Sequence, residues 1–179
     1  MSSTAEMPPR GELAERVLDH LADLAGALDR LEAHAARPTP GGLTEPDQPS
    51  GERWDAAQVW AHLAEFGSYW HPQLLLIVDA AGDQAVPFGR TKRDPQRIAA
   101  IERNRARSVD HQLQVVRADI ARFAHTLAQL TSDQWSRRGR HETLGEMDLW
   151  TFLDHFVTGH YHEHADQLDL LCANESRVS

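Results

Sequence analysis

Apolar residues recur along this chain at steps of three and four, and nowhere in a sustained alternation of two. Val17, Leu21, Leu24, Leu28 and Leu31 form one such stripe; Val59, Leu63, Phe66, Trp70, Leu74 and Ile77 form a second. A third runs through Ile98, Ile101, Val109, Val116, Ile120, Phe123, Leu127 and Leu130, with Arg105 and Gln112 standing at two of its positions. The last is Leu149, Leu153, Val157, Leu168 and Leu171, with Phe156 at its edge. At about 100° per residue these steps keep each set on one face of a helix. The pattern therefore predicts four long helices, at 11–36, 55–81, 95–130 and 145–172, packed as an all-α four-helix bundle.

Local signals sharpen the ends. Asp55 with Gln58 and Thr143 with Glu146 have the spacing of capping boxes, and Asp94 before Pro95 reads as an N-cap followed by a first-turn proline. Pro38 helps stop the first helix, while Gly82 and Pro87 mark a loop to Arg93. At ~3.3 Å per extended residue that loop reaches roughly 40 Å, enough to return along the bundle before the third helix begins.

Three positions on these stripes carry the wrong residue for a plain core. His160 and His164, one turn apart, fall inside the last stripe, and His62 lies beside Leu63 within the second. A single inward histidine is ordinarily a packed ring with its nitrogens bonded to backbone or water. Three on two stripes would leave several costly unsatisfied nitrogens if they met unpaired. Neutral imidazoles are good ligands for zinc, nickel, copper or iron, and an i, i+4 pair can converge on one ion. His155 and His162 belong to the same His-rich segment but are turned away from His160 by more than a right angle, so they should face solvent. A metal shared by His62, His160 and His164 requires the second and fourth helices to run antiparallel.

With 179 residues, 41% of them hydrophobic, the chain suits a single domain over 1–179, with 1–10 as a flexible tail. No apolar run approaches the ~20 residues of a membrane span, and the polar start lacks the apolar stretch of a secretory signal, so the expected location is the cytoplasm. A net charge of −9 argues against nucleic acid as a partner. Cys172 is the one cysteine, and its place near the end of the last helix favours a plain packing or surface residue over a nucleophile. Basic residues nevertheless cluster from Arg90 through Lys92, Arg93, Arg97, Arg103 and Arg105 to Arg107. Such a cluster is either a solvated face or a site for an anionic small molecule. Arg105 is likewise either an arginine reaching the bundle surface or a contact to a bound cofactor. Lys92 is the only lysine among 18 basic residues, a bias that with the abundant alanine points to a GC-rich genome.

Helix two with Trp54, Val59, Trp60, His62 and Leu63, and the tail His160, His164, Gln167 and Leu168 after an upstream Gly145, together resemble the DinB-like or YfiT-like metal-dependent enzymes, which include bacillithiol and mycothiol S-transferases. The resemblance covers most of the chain and departs at Glu163, where many members carry a histidine. It implies an up-down-down-up bundle and a three-histidine site with His62, His160 and His164 as ligands to a divalent metal, zinc or nickel. It also implies a metal-bound water or thiolate as the reactive group, with mycothiol the thiol cosubstrate to try first and Arg105 a contact for it. The partner is then a small-molecule substrate, with a homodimer left open. The function implied is mycothiol-dependent conjugation of an electrophile. The alternatives are a hydrolase of the same family, or a helical binding module that is not catalytic, its metal purely structural or its histidines ordinary core residues.

Overall fold

The axis of the molecule is the second stripe, which becomes a helix buried on every side from Val59 to Gly67. A computed structural model describes residues 10–47 and 51–178, so the tail expected over 1–10 lies, Arg10 apart, outside the described residues. The chain runs through α1 (Arg10–Ala35), α2 (Ala56–Val78), β1 (Val86–Phe88), α3 (Pro95–Arg105), α4 (Val109–Gln129), α5 (Ser132–Trp135), β2 (Arg138–His141), β3 (Gly145–Asp148), α6 (Leu149–Phe156) and α7 (Thr158–Val178). Asp55 caps α2, its side chain accepting from the Gln58 amide while Gln58 returns a bond, and Asp94 caps α3 ahead of Pro95. Both caps are the ones the sequence predicts.

Side-chain pairs fix the directions. Along α2, His62, Phe66 and Trp70 meet His164, His160 and Phe156 in reverse order, so α2 and the α6–α7 segment are antiparallel. Ser68 bonds Asp119 and His71 bonds Thr126, so α2 and α4 are parallel. Arg16 lies over Trp150, and Arg30 and His34 bond Asp166 and Asp169, so α1 runs with α6–α7. The course is therefore up-down-down-up, as expected. Gly67 is the tightest point of the bundle: a Cβ there would lie 2.5 Å from the Tyr161 hydroxyl and 2.6 Å from Asp119 Cβ, so the absent side chain lets α2 sit against α4 and α7 at once.

The helical bundle is the expected one, with two helix boundaries corrected and a small sheet added to it. The third helix breaks between Arg105 and Val109, where Ser108 caps α4 and the buried Gln112 amide donates to the carbonyls of Asn104 and Arg107. Gln112 thus interrupts the apolar stripe because it satisfies the carbonyls freed by that break. Residues 145–148 are strand, not helix. Asp148 rather than the Thr143–Glu146 pair caps the helix beginning at Leu149, accepting from the Thr151 amide at 2.8 Å. Finally, a three-stranded sheet closes one end of the bundle, β1 parallel to β2 with Phe88 opposite His141, and β2 antiparallel to β3 with Gly139 opposite Met147. No helix among the described residues is long and apolar enough to cross a membrane.

Candidate metal centre

His62 projects from the second turn of α2, while His160 and His164 come from the first two turns of α7. Because the i, i+4 rows of two antiparallel helices face one another, rings stack as rungs. Trp70 lies on Phe156 at 4.0 Å, Phe66 on His160 at 3.4 Å, and His62 reaches His164 edge-on at 4.8 Å. The α6–α7 junction sets the phase of the last two rungs. Val157 leaves helical geometry at φ −137 and ψ −89, and the Thr158 hydroxyl takes up the Leu153 carbonyl at 3.1 Å. The next residue is Gly159, where a Cβ would lie 2.1 Å from the Asp154 carbonyl oxygen. Only glycine lets the chain turn this closely just before His160.

Each of the three histidines offers one ring nitrogen, and these nitrogens lie within 4.8 Å of one another. His62 Nε2 and His160 Nε2 are 3.0 Å apart, close to the about 3.3 Å that separates two nitrogens on a tetrahedral ion at 2.0–2.1 Å. The outward nitrogens obey one rule. His62 Nδ1 is 3.8 Å from Glu65, His160 Nδ1 is 4.0 Å from Glu163, and His164 Nδ1 bonds Gln167 Oε1 at 2.8 Å, each partner three residues on. An amide oxygen only accepts, so His164 carries its proton on Nδ1 and turns a lone pair on Nε2 into the cluster, where that buried atom has no hydrogen-bond partner among the described residues. Burial, reinforced by neighbouring imidazoles, holds His62 and His160 well below the usual histidine pKa; burial brings His164 down to about 4. Three neutral imidazoles with an orphaned lone pair are a donor set that suits a divalent cation. Within the group no cysteine or carboxylate supplies a fourth ligand.

Around the cluster opens a cavity of about 720 Å³. Trp54, Phe66, Trp70 and Phe156 form its apolar wall, and Arg90, Lys92, Arg93 and Arg97 approach from the segment before and within α3. The connection after α1 forms another wall. There Thr44 and Trp54 bind each other through their backbones and the Thr44 hydroxyl, which sets the Trp54 ring 4.9 Å from His62 and 6.0 Å from His164. His141, on β2, lines the same cavity. It is pinned between the Thr143 amide on Nδ1 and the Arg90 carbonyl on Nε2.

Sequence reasoning placed His62, His160 and His164 on inward faces, and the structure brings the three together. His155 is exposed at the cavity mouth and His162 turns toward Arg30 on α1; neither joins the cluster. Arg105 is corrected: it sits at the end of α3, bound to the Asp55 carboxylate, and does not line the cavity, because the break before α4 ends the stripe on which it was read. Within α3 the arginine that does is Arg97, two turns earlier. Glu65 and His141 also went unread, and Glu163 was noted only as a departure from the family pattern, although the three-residue step from each clustered histidine to a carboxylate or amide is visible in the sequence.

Residues 13–168 match the DinB superfamily. None of the curated proteins matches the chain. Among solved structures, YfiT from Bacillus subtilis, described as a probable metal-dependent hydrolase with an unusual four-helix bundle topology, superposes with a TM-score of 0.69 at 19% identity over 89% of this chain and 87% of its own. A mycothiol-dependent maleylpyruvate isomerase superposes with a TM-score of 0.63 at 13% identity over 94% of this chain, which spans 63% of the isomerase.

Proposed function

The chain belongs to the DinB superfamily, and on that footing we propose that it is a metal-dependent thiol S-transferase that joins a low-molecular-weight thiol, mycothiol first, to an electrophilic small molecule. The observation that carries this reading is the position of the histidine cluster, whose unpartnered nitrogen faces a cavity large enough for two small molecules side by side. His62, His160 and His164 would hold the ion, zinc or nickel. A divalent ion on three neutral ligands keeps its full charge and an open position, and so lowers the pKa of a thiol or water toward neutrality. The rest is the work of this chain's own residues. Glu65, Glu163 and Gln167 orient the imidazoles, and Trp54 and Phe66 exclude water and offer an apolar face to the electrophile. The aromatic wall favours transfer to an aromatic or alkyl electrophile. A purely structural metal fits less well, since such sites are closed by four protein ligands. Hydrolysis is the second reading, favoured by the Glu163 carboxylate at the cavity wall, 4.0 Å from His160 Nδ1. The cytoplasm, where such a thiol would be held reduced, is the proposed place of action.

The test is metal analysis of untagged protein followed by two assays, conjugation of mycothiol to a haloaromatic and hydrolysis of an aryl ester. About one equivalent of metal with thiol-dependent turnover is the expected result. Turnover in neither assay by metal-loaded protein would overturn the proposal, and ester hydrolysis alone would select the second reading.

A further inference from the structure

The basic run around α3 is only partly spent on ion pairs. Arg90 is bound to Glu65 and lies over the Tyr69 ring at 3.7 Å, and Lys92 Nζ meets Asp47 at 2.7 Å. Arg93 stands in solvent. Arg97 differs from all three. It lines the cavity but is only 7% exposed, and among the described residues its guanidinium makes one hydrogen bond, from Nη1 to the Lys92 carbonyl at 3.0 Å, with no carboxylate paired to it. Glu52, Glu65 and Asp47 act on it only through space. A guanidinium has five N–H donors, so most of this buried fork is unspent. It lies over the Trp54 ring at 5.4 Å, the same ring that packs on His62 and His164. A buried cation without a counter-charge is costly to the fold, and it persists where a ligand completes it.

We infer that Arg97 anchors a carboxylate of the molecule that enters the cavity, so that the substrate is an organic acid whose apolar body lies along Trp54 and Phe66 and whose reactive centre points at the three histidines. The inference rests on the proposed function in taking this cavity as the place of reaction, and it names the class of molecule admitted. A monocarboxylate suits the site better than a phosphate. One planar fork matches two carboxylate oxygens, whereas a dianion would call for a second buried cation beside it; Arg90 and Lys92 are already paired, and Arg93 reaches the cavity only from its exposed rim. The aromatic wall also suits an organic body and not an inorganic ion.

The experiment is calorimetric titration of full-length protein with a series of aryl-alkanoic acids of increasing chain length, with their amides and with inorganic phosphate. Each titration is run on chelator-treated and on zinc-loaded protein. In the metal-free protein the best acid should bind about tenfold more tightly than its amide, the preference expected of one charge-assisted fork. Arg97→Gln should erase the difference, and Arg97→Lys, which keeps the charge but not the fork, should retain part of it. Acids that bind no better than their amides across the series would overturn the inference, as would an acid preference that survives in folded Arg97→Gln, or phosphate binding as tightly as the best acid. Should Arg97→Gln fail to fold, the acid–amide comparison in the wild type and the lysine variant still decide. A protein that prefers acids but takes up no metal would sink the proposed function and leave Arg97 its role. A metal-loaded transferase indifferent to the carboxylate would do the reverse.

Discussion

The helix α7 (Thr158–Val178) carries two polar clusters on two faces, and they are built on opposite principles. Toward α1, Arg30 Nη2 donates to Asp166 and Asp169 at 2.6 Å each, His34 Nε2 meets Asp169 at 3.0 Å, and Cys172 Sγ lies 4.0 Å from His34 Nδ1. Toward α2, His160 and His164 meet His62, and His164 Nε2 and His62 Nδ1 stay buried without a hydrogen bond. The α1 cluster is satisfied internally and half in solvent, with Asp166 and Asp169 at 65% and 53% exposure. Exposed pairs of that kind are worth little. The α2 cluster is largely buried and incomplete, and an unmet buried polar atom costs about 1–3 kcal/mol. The orphaned inward nitrogen of His164 marks the face of α7 that waits for a ligand; completeness marks the face that only holds α1.

The sharpest way to break this comparison is to remove one ring from each side. His160→Ala or His164→Ala should lower metal content from about one equivalent to almost none, because two neutral imidazoles leave a coordination set half empty. His155→Ala and His162→Ala should keep it, as should His34→Ala on the α1 face. Elemental analysis after gel filtration reads the result. Full retention of metal by His160→Ala would remove the basis of the contrast.

Acid separates the two faces next. An imidazole whose folded pKa lies below its unfolded value of 6.5 binds its proton more readily in the unfolded chain. The stability it lends is fully present above about pH 6.5 and drains away as pH falls toward the folded value, about 4 for His164. For that ring alone the loss in metal-free protein is on the order of 3 kcal/mol, and His62 and His160 add to it in the same direction. On the α1 face, the bond from Arg30 and the charge of His34 outweigh burial and hold Asp169 below the usual aspartate range. Its contribution is therefore kept above the unfolded pKa near 3.9 and is lost only at still lower pH. Burial lowers His34 as well, so bulk melting must be joined to side-chain NMR. The expected outcome is a metal-free melting temperature that falls between pH 6.5 and 4, with His164 the ring that titrates near 4. Zinc, which competes with those protons, should delay the fall. A flat melting temperature over that range would contradict the burial argument.

A smaller effect is expected one step outside the rings. Glu65 faces the outer nitrogen of His62 at 3.8 Å, beyond hydrogen-bond length, and is itself tied to Arg90. Glu65→Gln should weaken metal affinity by about 10- to 100-fold with the metal site still formed, the range seen when a ligand's orienting partner is removed. Competition with a chromogenic chelator would measure it. No change in affinity would mean that the α2 face needs no support beyond its ligands.

Much of this site was legible because it is helical. Steps of three and four placed His62, His160 and His164 on inward faces, and the same steps turned His155 and His162 away. The features that escaped depend on contacts distant in sequence. Strands of three or four residues show no period, and β1 becomes a strand only because residues 86–88 find 139–141. The breaks at Ala106–Ser108 and at Val157 interrupt helices without proline, and each shifts the phase of the next helix, α4 in one case and α7 in the other. A stripe read straight through them put Arg105 inside and gave no weight to Arg97, and it made Ile98 a core residue although it is 49% exposed. Glu65 hid for another reason. Its neighbours made it look like an ordinary polar position, and it is buried where Arg90 and the start of α3 come over α2.

The smallest effect belongs to the completed face. Arg30→Met removes the donor that ties Asp166 and Asp169 to α1, yet all three side chains are at least one-third exposed. Water takes over most of what the guanidinium supplied, and solvent screening keeps the loss under about 1 kcal/mol. In a chain of this size that corresponds to a fall in melting temperature of less than about 4 °C. The same variant should leave metal content and affinity unchanged, because α7 is held against α2 by its own rungs of Phe66 on His160 and Trp70 on Phe156. Paired melting curves and chelator competition on wild type and Arg30→Met provide the check. A large drop in metal affinity here would show that the α1 pairs set the rotation of α7 and so aim its histidines, and the two faces would have to be treated as one device.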